Sequence, residues 1–278
     1  MRMKNVELRT GDLGMISLNG IRVTFNPRTA LETRALNNLS LMIPEGQFVT
    51  VIGSNGAGKS TLLNVLSGEI RSDVGTVKIG DLDVTSWDAA RRAKLVARVF
   101  QNPLIGSCAD LTIEENLALA AKRGRSRMLK PALNKSFRSY CQTQLASLGL
   151  GLETRLGDRM GLLSGGQRQA VSLLMATLAP NQMLLLDEHT AALDPKTADY
   201  VMGLTDRIVR DRNLTTLMVT HSMKQALIWG DRTIMLHGGQ IIFDLSGEAR
   251  SQLTVADLLQ QFEQLQGNQV SDDALLLG

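Results

Sequence analysis

The chain has 278 residues, 44% of them apolar and 21% charged, a globular composition with enough length to bury a large core. A net charge of +3 is too small to imply a nucleic-acid partner by itself, and aromatic residues at 4% argue against stacking platforms for single strands. Cys108 and Cys141 are the only cysteines and lack CxxC spacing, so both are read as small apolar fillers in a reducing compartment.

The N-terminal MRMKNVELRT carries basic residues but no apolar stretch behind them, so no signal peptide is expected. From residue 14 to 52 the pattern is strand-like: MISLNGIRVTF, LNNLSLMI and QFVTVIG, separated by Asn19-Gly20 and Pro44-Glu45-Gly46. QFVTVIG is continuously apolar and β-branched, as in a strand covered on both faces. After Gly58 the period becomes helical, with Leu62, Leu63, Val65 and Leu66. GTVKIGDLD (75–83) reads as a hairpin, followed by a helical stretch through Arg91 and a strand at Val96–Phe100. Residues 110–150 are helix-rich. Met183–Leu186 and Leu217–Thr220 are two more covered strands. Strands alternating with helices imply a parallel sheet. The tail at Thr254 starts like a capped helix, with Asp257 three residues on and Val255, Leu258, Leu259 and Phe262 on one face. No run of about 18 apolar residues occurs, so no membrane span is expected.

Gly53-Ser54-Asn55-Gly56-Ala57-Gly58-Lys59-Ser60, followed by Thr61, satisfies GxxxxGK[ST] between a strand and a helix. The glycines let backbone N–H groups converge on phosphate oxygens, and the helix start adds its positive dipole end. Lys59 reaches the β and γ phosphates, and Ser60 offers a hydroxyl to Mg²⁺. A Gly-rich turn with a chance lysine would lack the flanking strand and helix. The chain is therefore expected to bind ATP or a similar triphosphate with Mg²⁺. Asp187, ending an apolar strand downstream, is the natural metal partner.

Leu163-Ser164-Gly165-Gly166-Gln167 then makes the reading specific. Together with Phe100-Gln101-Asn102-Pro103, Leu184–Asp194 (LLLDEHTAALD) and Thr220-His221-Ser222, it resembles the ordered motif set of ATP-binding cassette (ABC) ATPases, over roughly residues 14–245. The resemblance implies an α/β P-loop NTPase fold: a mostly parallel core sheet, an N-terminal antiparallel β subdomain and an inserted helical subdomain. One domain would span 1–278, with the nucleotide-binding core and β subdomain in 14–101 and 166–245. The helical subdomain, ending in the signature motif, would occupy 102–165, and a helical tail 246–278.

By that resemblance Glu188 orients or deprotonates the attacking water, His221 contacts the γ-phosphate and the Glu188 region, and Gln101 reaches Mg²⁺ and the water. Phe25 sits under adenine. Ser164, Gly165, Gly166 and Gln167 meet the ATP bound by Lys59 of a second copy, because the family dimerises head to tail. Asp194 passes geometry between the two sites. His189 stands where the family usually has Pro; it is read as a structural substitution marking a subgroup similar to amino-acid uptake cassettes. His237, in LHGGQ, is read as a turn residue.

With no span in the chain, a transporter role requires a separate permease, docked near Gln101 on segment 102–116, and a peripheral position on the cytoplasmic face of the membrane. The expected partners are that permease, a second ATPase copy and an extracytoplasmic solute-binding protein, with amino acids or similar small solutes as cargo. An exporter ATPase or a soluble cluster-assembly ATPase is the alternative. The basic run Lys122, Arg123, Arg125, Arg127, Lys130 is read as a solvated surface.

Overall fold

A computed structural model describes residues 15–124 and 132–266. Arg125, Arg127 and Lys130 lie outside the described residues, as does the side chain of Phe262. In chain order the elements are β1 (Ile16–Phe25), β2 (Thr33–Ile43), β3 (Phe48–Gly53), α1 (Lys59–Ser67), β4 (Val74–Ile79), β5 (Leu82–Asp83), α2 (Ala89–Arg92), β6 (Val96–Val99), α3 (Ile113–Ala121) and α4 (Lys135–Ala146). Then follow α5 (Gly165–Leu178), β7 (Met183–Asp187), α6 (Pro195–Asp211), β8 (Thr216–Val219), α7 (Met223–Ile228), β9 (Arg232–His237), β10 (Gln240–Ser246), α8 (Gly247–Ser251) and α9 (Val255–Gln266).

Two sheets organise the chain. An antiparallel sheet runs β2-β1-β4-β5, and a six-stranded sheet runs β10-β9-β3-β8-β7-β6. The latter is parallel from β9 to β6, with β10 antiparallel at one edge. The covered strands are apolar on both faces, and alternation sends their side chains to two different cores. Met183 and Leu185 of β7, with Leu217 and Val219 of β8, pack toward α1 and the antiparallel sheet. Leu184, Leu186 and Met218 point the other way, into a cluster with α3, α4 and α5. The inserted helices therefore share their core with the sheet.

Capping explains where those helices begin. Thr112 and Glu115 form a reciprocal box at α3, and Asn134 caps α4. Asp194 accepts from the Thr197 N–H and Pro195 takes the first position of α6, where its missing N–H costs nothing. Thr254 and Asp257 exchange hydrogen bonds at the start of α9, and Leu258 is buried beside Met223 and Ala226 of α7.

Several expectations need correction. The strand expected at Val96–Phe100 stops at Val99. β9 and β10 were not read from the sequence, and His237 ends β9 rather than sitting in the turn, which is Gly238-Gly239. β9 is covered on both faces but its apolar run, Ile234–Leu236, is only three residues long, and β10 is only partly buried at the sheet edge. Cys141 is buried, its thiol pushed up to about 11 by desolvation, but Cys108 is exposed and fills no core. Arg123 is not simply solvated: its Nη2 donates to Ala176 O at 2.8 Å. Asn116, at the end of the expected docking segment, is turned inward and clamps the N–H and C=O of Cys108.

Arg92 is the largest fully buried side chain. Its guanidinium donates to Val84 O, to Thr85 O, and to Val65 O and Leu66 O at the end of α1. It thereby satisfies carbonyls that a helix end leaves orphaned. Burial lowers its pKa to about 10, so it stays charged at neutral pH. Replacing Arg92 with Met should cost about 2–4 kcal/mol in urea unfolding, since several buried acceptors lose their donor; an unchanged midpoint would contradict this role.

Candidate nucleotide site

The C-terminal ends of the parallel strands meet at one edge of the sheet, the usual place for a ligand crevice in such folds. β3 delivers Gly53 and the loop to Gly58 there, β7 delivers Asp187 and Glu188, β8 leads to His221, and β6 leads to Gln101. A cavity of about 640 Å³ is lined by Gly53, Ser54, Asn55, Gln101, Glu188 and His221.

The loop between β3 and α1 has the shape of an anion cradle. Gly58 has φ 101° and a Cβ there would lie 2.4 Å from Ala35 O; at Gly53 it would lie 2.3 Å from Leu236 O. Both positions exclude any side chain. Ala57 N donates to Ser54 O, and Gly239 N to Ala57 O, which fixes the turn against the β9–β10 connection. Asn55, Gly56 and Ser60 are exposed, Ser54 and Thr61 half-buried, and Ala57 buried. Lys59 is buried, its Nζ donating to Gly53 O at 2.6 Å and Ser54 O at 2.9 Å. No acidic residue stands in the first turn of α1, so none of the helix's own early residues offsets its positive end.

The two carboxylates diverge. Glu188 has φ 46°, a left-handed backbone that costs a non-glycine residue roughly 1 kcal/mol or more. It is held by its N–H to Val219 O at 3.0 Å and by Ala191 N to its carbonyl at 2.9 Å. The kink turns its side chain to His221, whose Nε2 lies 2.6 Å from Glu188 Oε1. Asp187 instead meets Arg98, Nη2 to Oδ2 at 2.6 Å. Sequence reading missed this arginine, whose charge on an otherwise apolar strand was the available signal.

The loop bearing His221 is wired to the turn after Glu188. Thr220 donates its hydroxyl to Gln225 Oε1, and Gln225 Nε2 donates to Thr190 Oγ1 at 3.4 Å. Ser222 caps α7. Gln101 is exposed, while the carbonyl of Phe100 before it accepts from Gln169 of α5 at 3.2 Å. Gln225 and Gln169 were also absent from the sequence reading, because glutamines carry no pattern until their neighbours are known.

Ser164 opens α5 through a capping box with Gln167. Ser164 and Gly165 are exposed. A Cβ on Gly166 would lie 2.2 Å from Thr197 Cγ2, so this helix start packs tightly on the one that Asp194 caps. Hydrogen bonding to Thr197 lowers the Asp194 pKa. None of Ser164–Gln167 lines the cavity at the phosphate loop, and Phe25, 40% exposed at the end of β1, does not line it either. The chain does not bring its own signature residues to its own loop cavity.

His189 is 2% exposed and its Nε2 lies 3.0 Å from Thr205 Oγ1. The Thr205 hydroxyl spends its proton on Val201 O, so His189 must be the donor, with its proton on Nε2. The imidazole roots the turn after Glu188 in α6, and burial pushes its pKa down to about 4. Between about pH 6.5 and 4 the unfolded chain binds a proton here that the folded chain does not, so stability falls as pH falls through this window. The loss approaches ~3 kcal/mol at its lower end. His189→Gln should therefore lose less stability than the parent chain between pH 7 and pH 5, by about 2 kcal/mol in urea unfolding. Equal losses would contradict a buried neutral His189.

These features can be set beside known proteins. The sequence profile of the family described as ABC transporter matches residues 36–191. The chain is 43% identical over 249 residues to the tyrosine transport ATP-binding protein of Clostridioides difficile (strain R20291), covering 90% of this chain and 99% of that one. It is 36% identical to a phosphonates import ATP-binding protein of Frankia casuarinae, over 81% of this chain and 90% of that one. Among solved structures it is similar to a bacterial ABC transporter cassette solved as a dimer, with TM-score 0.71 and 28% identity, covering 83% of this chain and 98% of that chain. It is likewise similar to a dimeric cassette in a post-hydrolysis state bound to ADP and Pi, with TM-score 0.71 and 27% identity. With a phosphate cradle, a strained carboxylate paired to a histidine and a separate exposed signature helix, the chain belongs to the ABC transporter family as an ATP-binding ATPase subunit.

Proposed function

We propose that this chain powers solute import as one of two ATPase subunits beneath a separate permease, with ATP and Mg²⁺ bound at the Gly53–Thr61 loop. The observation that carries the reading is the Glu188–His221 pair, 2.6 Å apart beside that loop. Lys59 and the α1 N-terminus hold phosphate oxygens. The Ser60 hydroxyl, the Gln101 amide oxygen and the Asp187 carboxylate are hard oxygen donors suited to Mg²⁺. Bound Mg²⁺ would offset charge on the β and γ phosphates. Glu188 accepts a proton from, or orients, the attacking water, and His221 fixes the Glu188 carboxylate. Phe25 lies against adenine.

Ser164–Gln167 and Asp194 serve a site formed with a second copy. The exposure of Ser164 and Gly165, away from their own loop cavity, supports this, as does the dimeric form of the structural relatives. A groove of about 930 Å³ beside Phe100, lined by Pro103, Ile105, Ser107, Leu119 and Lys122, suits a permease segment of apolar and acidic character. Among the described residues no helix is long and apolar enough to cross a membrane. The names of the relatives favour import, and the tyrosine-transport relative, matched over 99% of its length, favours an amino acid delivered by an extracytoplasmic binding protein. The ATPase subunits then lie peripherally on the cytoplasmic face.

Glu188→Gln should keep ATP binding, lose roughly 10²–10⁴-fold in turnover, and accumulate a dimer with ATP and Mg²⁺ on size-exclusion chromatography; near-normal hydrolysis would remove Glu188 from the chemistry. Ser164→Arg should block hydrolysis without weakening ATP binding to the monomer, and an equal loss of monomer affinity would place Ser164 in its own subunit's site. Purified from membranes in detergent, the tagged chain should carry a multispanning companion protein. Recovery only from the soluble fraction, without such a companion, would contradict the importer assignment.

A further inference from the structure

Arg98 is the one charged residue on β6, and its side chain is only 10% exposed. Its guanidinium joins three segments that the nucleotide chemistry needs in register. Nη2 donates to Asp187 Oδ2 at 2.6 Å, at the end of β7. Nη1 donates to Asn64 Oδ1 at 2.7 Å, on the helix that starts with Lys59, and to Glu69 Oε2 at 3.0 Å just beyond that helix. The guanidinium carbon sits 4.7 Å from the ring centroid of Phe100, the residue before Gln101. Both Arg98 and Phe100 also line the 930 Å³ groove.

We propose that Arg98 is a positioning residue for Asp187: by binding Oδ2 it sets the orientation of the carboxylate, and it ties that setting to α1 and to the base of the Gln101 segment. The inference rests on the assignment of Asp187 to Mg²⁺. The rigid fork of an arginine suits this task, because its two ends can bond different partners at a fixed separation. A lysine would bring charge without the fork. A carboxylate that binds a metal by way of water depends on its orientation, since the outer partners of a site set where its lone pairs point. Two opposite consequences of Arg98 can be told apart by sign. A cation that merely competed with the metal for Asp187 would weaken Mg²⁺ binding, so its loss would strengthen it. A positioning cation strengthens Mg²⁺ binding, so its loss weakens it.

The test uses the full chain carrying Glu188→Gln to suppress turnover, with a fluorescent ATP analogue as the probe. Affinity for the analogue is measured in EDTA, followed by the Mg²⁺ concentration that gives half of the metal-dependent gain in affinity. Arg98→Met should leave the EDTA affinity within about twofold and raise the Mg²⁺ half-saturation roughly tenfold or more. Arg98→Lys should fall between it and the parent. An unchanged or lowered half-saturation in folded Arg98→Met overturns the proposal. Asp187→Asn is run in parallel. If it leaves Mg²⁺ half-saturation unchanged, the assignment of Asp187 to the metal fails; if it raises the value while Arg98→Met does not, only the role of Arg98 fails. Should Arg98→Met not fold, Asn64→Ala/Glu69→Gln keeps the arginine and removes its anchors. A rise in Mg²⁺ half-saturation of about twofold or more then supports the proposal, and no rise overturns it.

Discussion

Asp187 and Glu188 are adjacent carboxylates at the end of a strand whose first four residues are buried, and the site is arranged around giving each a partner. Buried anions are costly unless paired. The chain separates them by a backbone kink: Glu188 at φ 46° turns toward His221, and Asp187, still in β7, pairs with Arg98 of the neighbouring β6. The kink would relax in isolation. It is held by the Val219 carbonyl, by the turn to Ala191, and by His189, whose ring is fixed from α6 through Thr205. A histidine one residue from Glu188 thus contributes architecture, as a neutral buried donor.

The same economy runs through the loops. Each of these segments is secured by a side chain that lies outside the sequence motifs. Gln225 ties the His221 loop to the turn after Glu188, Gln169 ties the base of the Gln101 segment to the signature helix, and Arg92 closes the far end of α1. Because α5 carries both Gln169 and the capping box of Ser164, a shift of the signature helix is mechanically linked to Gln101. A permease in the groove beside Phe100 would act on that link, since Phe100 and the α5 residues Ser172 and Met175 line the groove together.

How much of this was legible in the sequence follows from the kind of signal each part emits. The phosphate loop was legible because glycine spacing reports backbone conformation directly, and Gly53 and Gly58 do occupy positions that no Cβ could enter. Covered strands such as Met183–Asp187 announced themselves by continuous apolar runs. β9 and β10 did not, because the apolar run of β9 is only Ile234–Leu236 and β10 is only partly buried at the sheet edge. The helix from Pro195 to Asp211 was not legible either, because its capping residue Asp194 is also the last residue of the LLLDEHTAALD motif. Arg98, Gln169 and Gln225 were invisible for a deeper reason. Their meaning lies in partners 89, 69 and 35 positions away, which only the fold brings near.

On the proposed reading, a working site needs the phosphate loop of one copy and the signature helix of another. Mixing two inactive chains tests it most directly, one carrying Lys59→Ala and the other Ser164→Arg. Head-to-tail pairing gives the mixed dimer one site with an intact Lys59 and an intact Ser164. Mixing should restore ATP hydrolysis well above that of either chain alone. Hydrolysis by the mixture no greater than the average of the two separate chains would contradict it.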